Sequence, residues 1–297
     1  MTIARNEYEI KSCLENAFPF SVFKGPLYGP DGLQSPEYGL WRDDTNEYVS
    51  SRSVRRNYNH HQTDHVVGAC LAAASAFDGD VNVDATFNGG HYVSIMPTKE
   101  HRQSIYGSRD NIFPRFQISA KYGSGAYRAS LGMFRDACSN MQMLRSTGNS
   151  TSITIRHDSF LERNQEELIQ QFTDLREKWG TVVEAVKQME AVKINLKEFY
   201  NELYPNLESD SSNKKNRNFK TLDKIHRRIL HERMTTGRPV EDFDWFVSGW
   251  EAYNGVQGFV QHDKTRKGRP SKFDRVISAN NDSKVQQAEL LVLSQAC

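Results

Sequence analysis

Cysteine is scarce and scattered: Cys13, Cys70, Cys138 and Cys297 are the only four in 297 residues. None stands in C-x-x-C or zinc-type spacing, which excludes a zinc ribbon or a dithiol redox centre and points to reduced thiols in a cytoplasmic protein. No apolar run approaches the roughly 18 residues that suggest a membrane span. The N-terminal MTIARNEYEI has no apolar secretory core, so neither a membrane partner nor export is expected. Charge of one sign is lacking as well. Lys and Arg number 38 against 37 Asp and Glu, a net charge of +1, so a histone-like polycation is excluded and any affinity for nucleic acid must come from local asymmetry.

Catalytic signatures are also missing. There is no G-x-x-x-x-G-K-[ST] and no G-x-S-x-G, and Gly123-Ser124-Gly125 stands alone without the rest of a dinucleotide fingerprint. His61 and His65 are four apart, with His60 and Asp64 beside them, but no H-E-x-x-H is formed. His157-Asp158 and His262-Asp263 are sequence neighbours, whose side chains point apart. No catalytic residue, cofactor or metal is assigned, and a non-enzymatic role is the expectation.

What is present is an aromatic-rich chain with 37% hydrophobic residues, including twelve Tyr, sixteen Phe and four Trp, enough for a packed core. Residues 18–40 are rich in Gly and Pro and predict irregular surface chain, followed by a hairpin through Tyr38–Trp41 and Tyr48–Ser50. Thr63 and Asp64 can cap a helix to about Phe77. Period-two alternation at Val81, Val83, Ala85 and Phe87, then Asn88-Gly89-Gly90, predicts a hairpin returning through His91–Met96. Further strands are predicted around Phe116–Ala120 and Ile153–Ile155, with a helix over 126–144 between them. Ser159 and Glu162 have capping-box spacing ahead of a long helix to about Val192. The fold class is α+β: an antiparallel, β-hairpin-rich sheet packed on long helices, with a helical C-terminal part. The expected organisation is a core domain over 1–205, a polar loop or linker over 206–220, and a basic helical part over 221–297 packed on the core. Within that part, helices are predicted over 221–235, 242–260 and 283–294.

Basic residues cluster towards the C-terminus. From Lys214 to Arg238, nine Lys and Arg stand against Asp223 and Glu232; from Lys264 to Arg275, six stand against Asp274. On the predicted helix from Thr221, Leu222, Ile225 and Ile229 share one stripe, while Lys220, Lys224, Arg227, Arg228 and His231 occupy the opposite arc. Lys264, Arg266, Lys267, Arg269 and Lys272 make the second run; its Lys267-Gly268-Arg269-Pro270 is similar to an AT-hook core, although a plain basic loop is the favoured reading of these four residues. Arg52, Arg55 and Arg56 with Tyr58 form a third group. A fourth interleaves Arg102, Arg109, Arg115, Lys121, Arg128 and Arg135 with aromatics, from which Arg115, Lys121, Tyr122, Tyr127 and Arg128 are candidate strand contacts. Cations beside rings hold single strands by backbone charge and base stacking; the bland alternative is a core sheet with a charged outer face.

Gly39-Leu40-Trp41-Arg42-Asp43-Asp44-Thr45, the Val49-Ser50 pair, Tyr58 and Gln62 resemble the N-terminal signature of the phage/plasmid-like family of unknown function, number 932 in its series. Ile155-Arg156-His157 is similar to the middle of that family, and Tyr253–Asp263 resembles its C-terminal block, with Gly255 and Phe259 where Ala and Tyr are usual. The resemblance implies an α+β fold and a phage, prophage or plasmid origin, hence a host-cell cytoplasmic location. It carries no settled activity. A looser likeness of architecture is to phage single-strand annealing proteins. The resulting expectation is a non-enzymatic nucleic-acid-binding protein, favouring single-stranded DNA, a homo-oligomer active in annealing or recombination. Two alternatives are a factor that binds a host protein complex and a metal-dependent nuclease.

Overall fold

The computed structural model describes residues 2–50, 52–77, 79–98, 101–123, 126–136, 141–142, 152–156, 165–205, 212–240, 245–264, 275, 279 and 282–295. Its strands are β1 (Thr2–Ala4), β2 (Val22–Tyr28), β3 (Gln34–Arg42), β4 (Val81–Phe87), β5 (Gly90–Pro97), β6 (Gln103–Tyr106), β7 (Asp110–Lys121), β8 (Ala126–Arg135), β9 (Met141–Gln142), β10 (Ser152–Arg156), β11 (Lys193–Asn195) and β12 (Phe246–Ser248). Its α-helices are α1 (Glu7–Ala17), α2 (Thr63–Ser75), α3 (Gln165–Glu177), α4 (Trp179–Ala191), α5 (Leu196–Leu203), α6 (Ser212–Thr236), α7 (Gly249–Gly258) and α8 (Ser283–Ser294). The fold is of the mixed α+β class with a helical C-terminal part, and the sheets are antiparallel. No helix among the described residues is long and apolar enough to cross a membrane.

The chain divides into two compact units. The first comprises residues 1–101, 114–131 and 150–177. Its strands follow the order β1-β4-β5-β7-β8-β10. All eight positions of β5 are buried, as a strand covered on both faces requires. The β4–β5 hairpin pairs Val81 with Pro97 through to Phe87 with His91, and Gly89 takes the positive φ of +60° that the Asn-Gly turn demands. Helix α2 buries Val66, Val67, Ala69, Cys70, Ala72, Ala73 and Ala74; its small side chains allow close packing.

The structure corrects several local expectations. The segment from Ala126 is a strand to Arg135, not a helix: Ala129, Leu131, Met133 and Arg135 are buried in strict alternation, and pairing with β10 outweighs the helical spacing of Leu131 and Phe134. The Gly/Pro-rich stretch is largely ordered as the β2–β3 hairpin, in which Gly25 and Gly39 lie against the Trp41 ring, and it is preceded by α1, capped by Asn6. The single long helix to Val192 is two, α3 and α4. The Ser159–Glu162 capping box lies outside the described residues.

The second unit comprises residues 102–113, 132–149 and 178–297. Helix α6 begins at Ser212, inside the polar stretch read as a loop, and α7 begins at Gly249 after β12, later than predicted. Every residue of α7 is buried. Its N-terminus carries a capping box between Ser248 and Glu251. Two glycines set how near its neighbours come. A Cβ on Gly255 would lie 2.2 Å from Cγ1 of Ile229 in α6, and one on Gly249 would lie 2.3 Å from Cγ1 of Val292 in α8. A π-helical turn, Phe259–Asp263, continues α7, and α8 is capped by Asp282.

Buried ion pairs run through this unit. Arg135 donates to both carboxylate oxygens of Asp110, at 2.5 and 2.8 Å, and to Glu232 at 2.5 Å, and all three are buried. Arg238 donates to Glu190 at 2.8 Å and to Asp110 at 3.5 Å, and its guanidinium lies 4.0 Å from the Tyr106 ring centroid. Burial raises the Glu190 carboxyl against the opposing pull of Arg238. Arg135, grouped by sequence with a basic surface stretch, is thus a core residue, and its guanidinium lies 5.3 Å from the Trp250 ring.

Candidate nucleic-acid interface

Helix α6 is amphipathic in the sense the sequence predicts. Leu222, Ile225 and Ile229 are buried, and Glu232 and Thr236 continue that face. On the opposite side, Lys220, Lys224, Arg227 and His231 are exposed. They follow one another at intervals of four, three and four residues, so they form one row along the crest, with successive residues about 4.5–6 Å apart on the axis. Arg227 also pairs with Asp223 at 2.9 Å, both exposed, a contact of small energetic weight.

Beside the crest lies a cavity of about 520 Å³ lined by α6, α7, the π-helical turn and the start of α8. Arg217, Lys220, Lys224, Lys264 and Lys284 line it against Asp263 and Asp282, and Tyr204, Val256 and Phe259 supply apolar wall. Both carboxylates are already engaged. Arg228 grips Asp263 through Nε and Nη2 at 2.5 and 2.8 Å and holds that carboxyl below its ordinary range. Asp282 accepts from Lys264 and caps α8 through Lys284 N–H at 3.0 Å. Lys284 sits 4.5 Å from the Tyr204 ring centroid, and burial lowers its ammonium pKa. His262 next to Asp263 is lowered chiefly by burial and then by Arg228. The lining cations outnumber the acids, which gives a recess suited to phosphate oxygens.

The remaining candidates divide among several places. Arg228 is half-buried and committed to Asp263, so it holds a carboxylate of the cavity wall and is not part of the exposed row. Lys264 is exposed, but Arg266, Lys267, Arg269 and Lys272, with the AT-hook-like core, lie outside the described residues. Arg115, Lys121, Tyr122 and Arg128 belong to the first unit. Lys121 and Arg128 are exposed. Arg115, 2% exposed and bonded to the Ser94 hydroxyl, and Tyr122, 2% exposed and stacked on His61 at 4.1 Å, are core residues and present nothing to a strand. The Tyr127 side chain lies outside the described residues.

The histidines flagged by sequence take part in packing. His60 Nε2 bonds the Val22 carbonyl at 2.7 Å, and His65 accepts from the Gln62 N–H at 3.1 Å. His61 meets His91 at 3.1 Å among Phe18, Phe20, Phe87 and Tyr122. Burial pulls His91 down to about 3, so its ring is neutral at ordinary pH. Among the described residues no group of His, Cys, Asp and Glu could hold a metal ion.

A family model described as a domain of unknown function, DUF932, matches residues 50–288. The chain belongs to the DUF932 family. No curated protein and no solved structure matches it. Residues 50–288 of this DUF932 chain include β4–β8, α6, α7 and the π-helical turn, hence both the buried α7 block and the cationic face of α6.

Sequence reasoning missed two groups. The carboxylates and guanidinia of the buried network lie far apart in the chain, and only the fold assembles them. Several aromatics of the second unit, Phe219, Trp245 and Phe246 among them, are not core: each is roughly half-exposed.

Proposed function

We propose that this chain is a non-enzymatic nucleic-acid-binding protein that engages the phosphate backbone through the crest of α6 and the cationic recess beside it. The carrying observation is the one-signed exposed row Lys220, Lys224, Arg227 and His231, rigidly mounted on a buried apolar stripe and continuous with a recess lined by five Lys and Arg. A merely solvated helix face alternates charge; here four cationic or ionisable-basic positions stand beside one acid, Asp223, which is paired with Arg227. The recess carboxylates are bound by Arg228 and Lys264, which supports a binding role over a hydrolytic one. Annealing or recombination, in which strands are held by their backbones, is the setting that suits this chemistry.

The test is a fluorescence-anisotropy titration of a labelled oligonucleotide between 50 and 200 mM salt. Each phosphate contact contributes about 0.7 (single strand) to 0.9 (duplex) to the log–log salt slope. Replacing Lys220, Lys224 and Arg227 by Ala is therefore expected to lower the slope by roughly 2–3 and to weaken binding at low salt. Absence of binding by the wild-type protein at 50 mM salt, or a triple variant with an unchanged slope, would refute the reading.

A further inference from the structure

Trp245 is 45% exposed and Phe219 is 48% exposed, an unusual state for two large rings in a unit whose other Trp, at 179 and 250, are buried. Both flank α6. Trp245 lies 5.6 Å from the ring of His226 on that helix, and His226 bonds the Tyr200 hydroxyl at 3.1 Å. Phe219 is seven residues before His226, two turns or about 10 Å along the axis and on the same side. On the helical wheel this side adjoins the crest of Lys220, Lys224 and Arg227. The recess lies on the other side of the crest, where Arg217 and Arg228 project. The backbone of Trp245 is fixed, since its carbonyl accepts from Leu196 N–H at 2.7 Å at the edge of the β11–β12 pair. One cation, Lys197, stands 4.8 Å from the Trp245 ring centroid.

We infer that Trp245 and Phe219 are a base-stacking platform, and that the strand taken by α6 is single-stranded nucleic acid, its phosphates on the Lys crest and its bases turned onto these rings. This rests on the phosphate-binding reading of α6 and adds the state of the strand. A duplex keeps its base faces stacked inside and has nothing to give an exposed ring, whereas every unpaired base has a π-face. Charge complementarity selects the occupant: the rings are bordered by Lys197 and, past Asp223, whose carboxylate is paired with Arg227, by the crest cations. The Lys197 contact does not block the platform, because an exposed cation–π contact is weaker than base–aromatic stacking, and the displaced ammonium remains available to a phosphate.

The experiment compares a labelled thymidine 20-mer, an abasic 20-mer of equal charge, and a 20-base-pair duplex, at fixed salt, on wild-type protein, W245A, F219A and W245F. A uridine 20-mer run beside them distinguishes DNA from RNA, and the tighter of the two single strands is the reference. W245A and F219A are each expected to weaken that strand by about five- to 150-fold, the equivalent of one stacked base. They should leave the salt slope, the abasic strand and the duplex unchanged, while W245F keeps most of the affinity. Circular dichroism matching wild type excludes misfolding; both side chains are half-exposed, so their removal leaves the core intact. Wild-type binding that is unaffected by either substitution, or that falls equally on the abasic strand, overturns the platform and leaves phosphate binding standing. Absence of any wild-type binding removes both.

Discussion

Arg135 offers the sharpest test of how the second unit is held together. It is fully buried and its guanidinium spans Asp110 and Glu232 through three short charge-assisted hydrogen bonds. Removing one member of such a pair leaves buried carboxylates without a counter-charge, at a cost of about 3–5 kcal/mol. That is a large share of the roughly 5–15 kcal/mol that separates folded from unfolded domains. With a urea dependence near 2 kcal/mol per molar, R135M should move the unfolding midpoint down by roughly 1.5–2.5 M. Tryptophan fluorescence reads this directly, because Trp250 lies against the same guanidinium. The decisive comparison is R135M/D110L/E232L. With the uncompensated charges gone, it should regain most of the lost stability, since buried ion networks exchange for apolar groups at little net cost; Arg238 keeps Glu190 at 2.8 Å in that variant. If R135M unfolds within about 0.5 kcal/mol of wild type, or if the triple variant is no better than the single, the account of this network is wrong.

Two further outcomes are expected. His91 has its pKa lowered to about 3 by burial, against 6.5 unperturbed, so the unfolded chain binds a proton that the folded one refuses. Stability should therefore fall as the pH drops from about 6.5 towards 3, by up to about 1.4 kcal/mol per pH unit, and H91Q should flatten that slope in urea titrations at pH 4 and pH 7; an unchanged slope contradicts the assignment. G255A places a Cβ 2.2 Å from Ile229 Cγ1, with the Ile225 carbonyl at 3.3 Å to limit relief, and should destabilise by about 1–3 kcal/mol in thermal or urea melts. A variant as stable as wild type would show that α6 can withdraw freely from α7.

The parts of this fold that could be read from sequence are those in which local pattern and tertiary environment agree. The β4–β5 hairpin combines alternation with an Asn-Gly turn, and α6 separates three apolar residues from a row of cations; both stand as expected. Segment 126–135 was misread because Leu131 and Phe134 have helical spacing, whereas alternate burial at Ala129, Leu131, Met133 and Arg135 is dictated by neighbouring strands from elsewhere in the chain. Gly25, Pro26 and Gly39 looked like breakers but serve a twisted hairpin around Trp41. The exposed row Lys220, Lys224, Arg227 and His231 was legible because amphipathicity is local. Arg115 and Tyr122 were not, since a charged or phenolic side chain in a strand shows no sign in sequence of which face it occupies. Trp245 and Phe219 passed unnoticed for the converse reason: large rings are ordinarily core, and only the folded surface shows these two to be half-exposed.

Helix α7, buried along its whole length and pinned by glycine contacts to α6 and α8, has a consequence for how the second unit opens. Its amides have no route to solvent through fraying of a surface turn. They should exchange with deuterium only when the unit unfolds globally, making α7 a slow-exchange nucleus, whereas the outer crest of α6 faces solvent. Exchange rates measured along α7 would then report the global stability of the unit, and a strand seated on the crest of α6 would slow them along the whole helix through mass action.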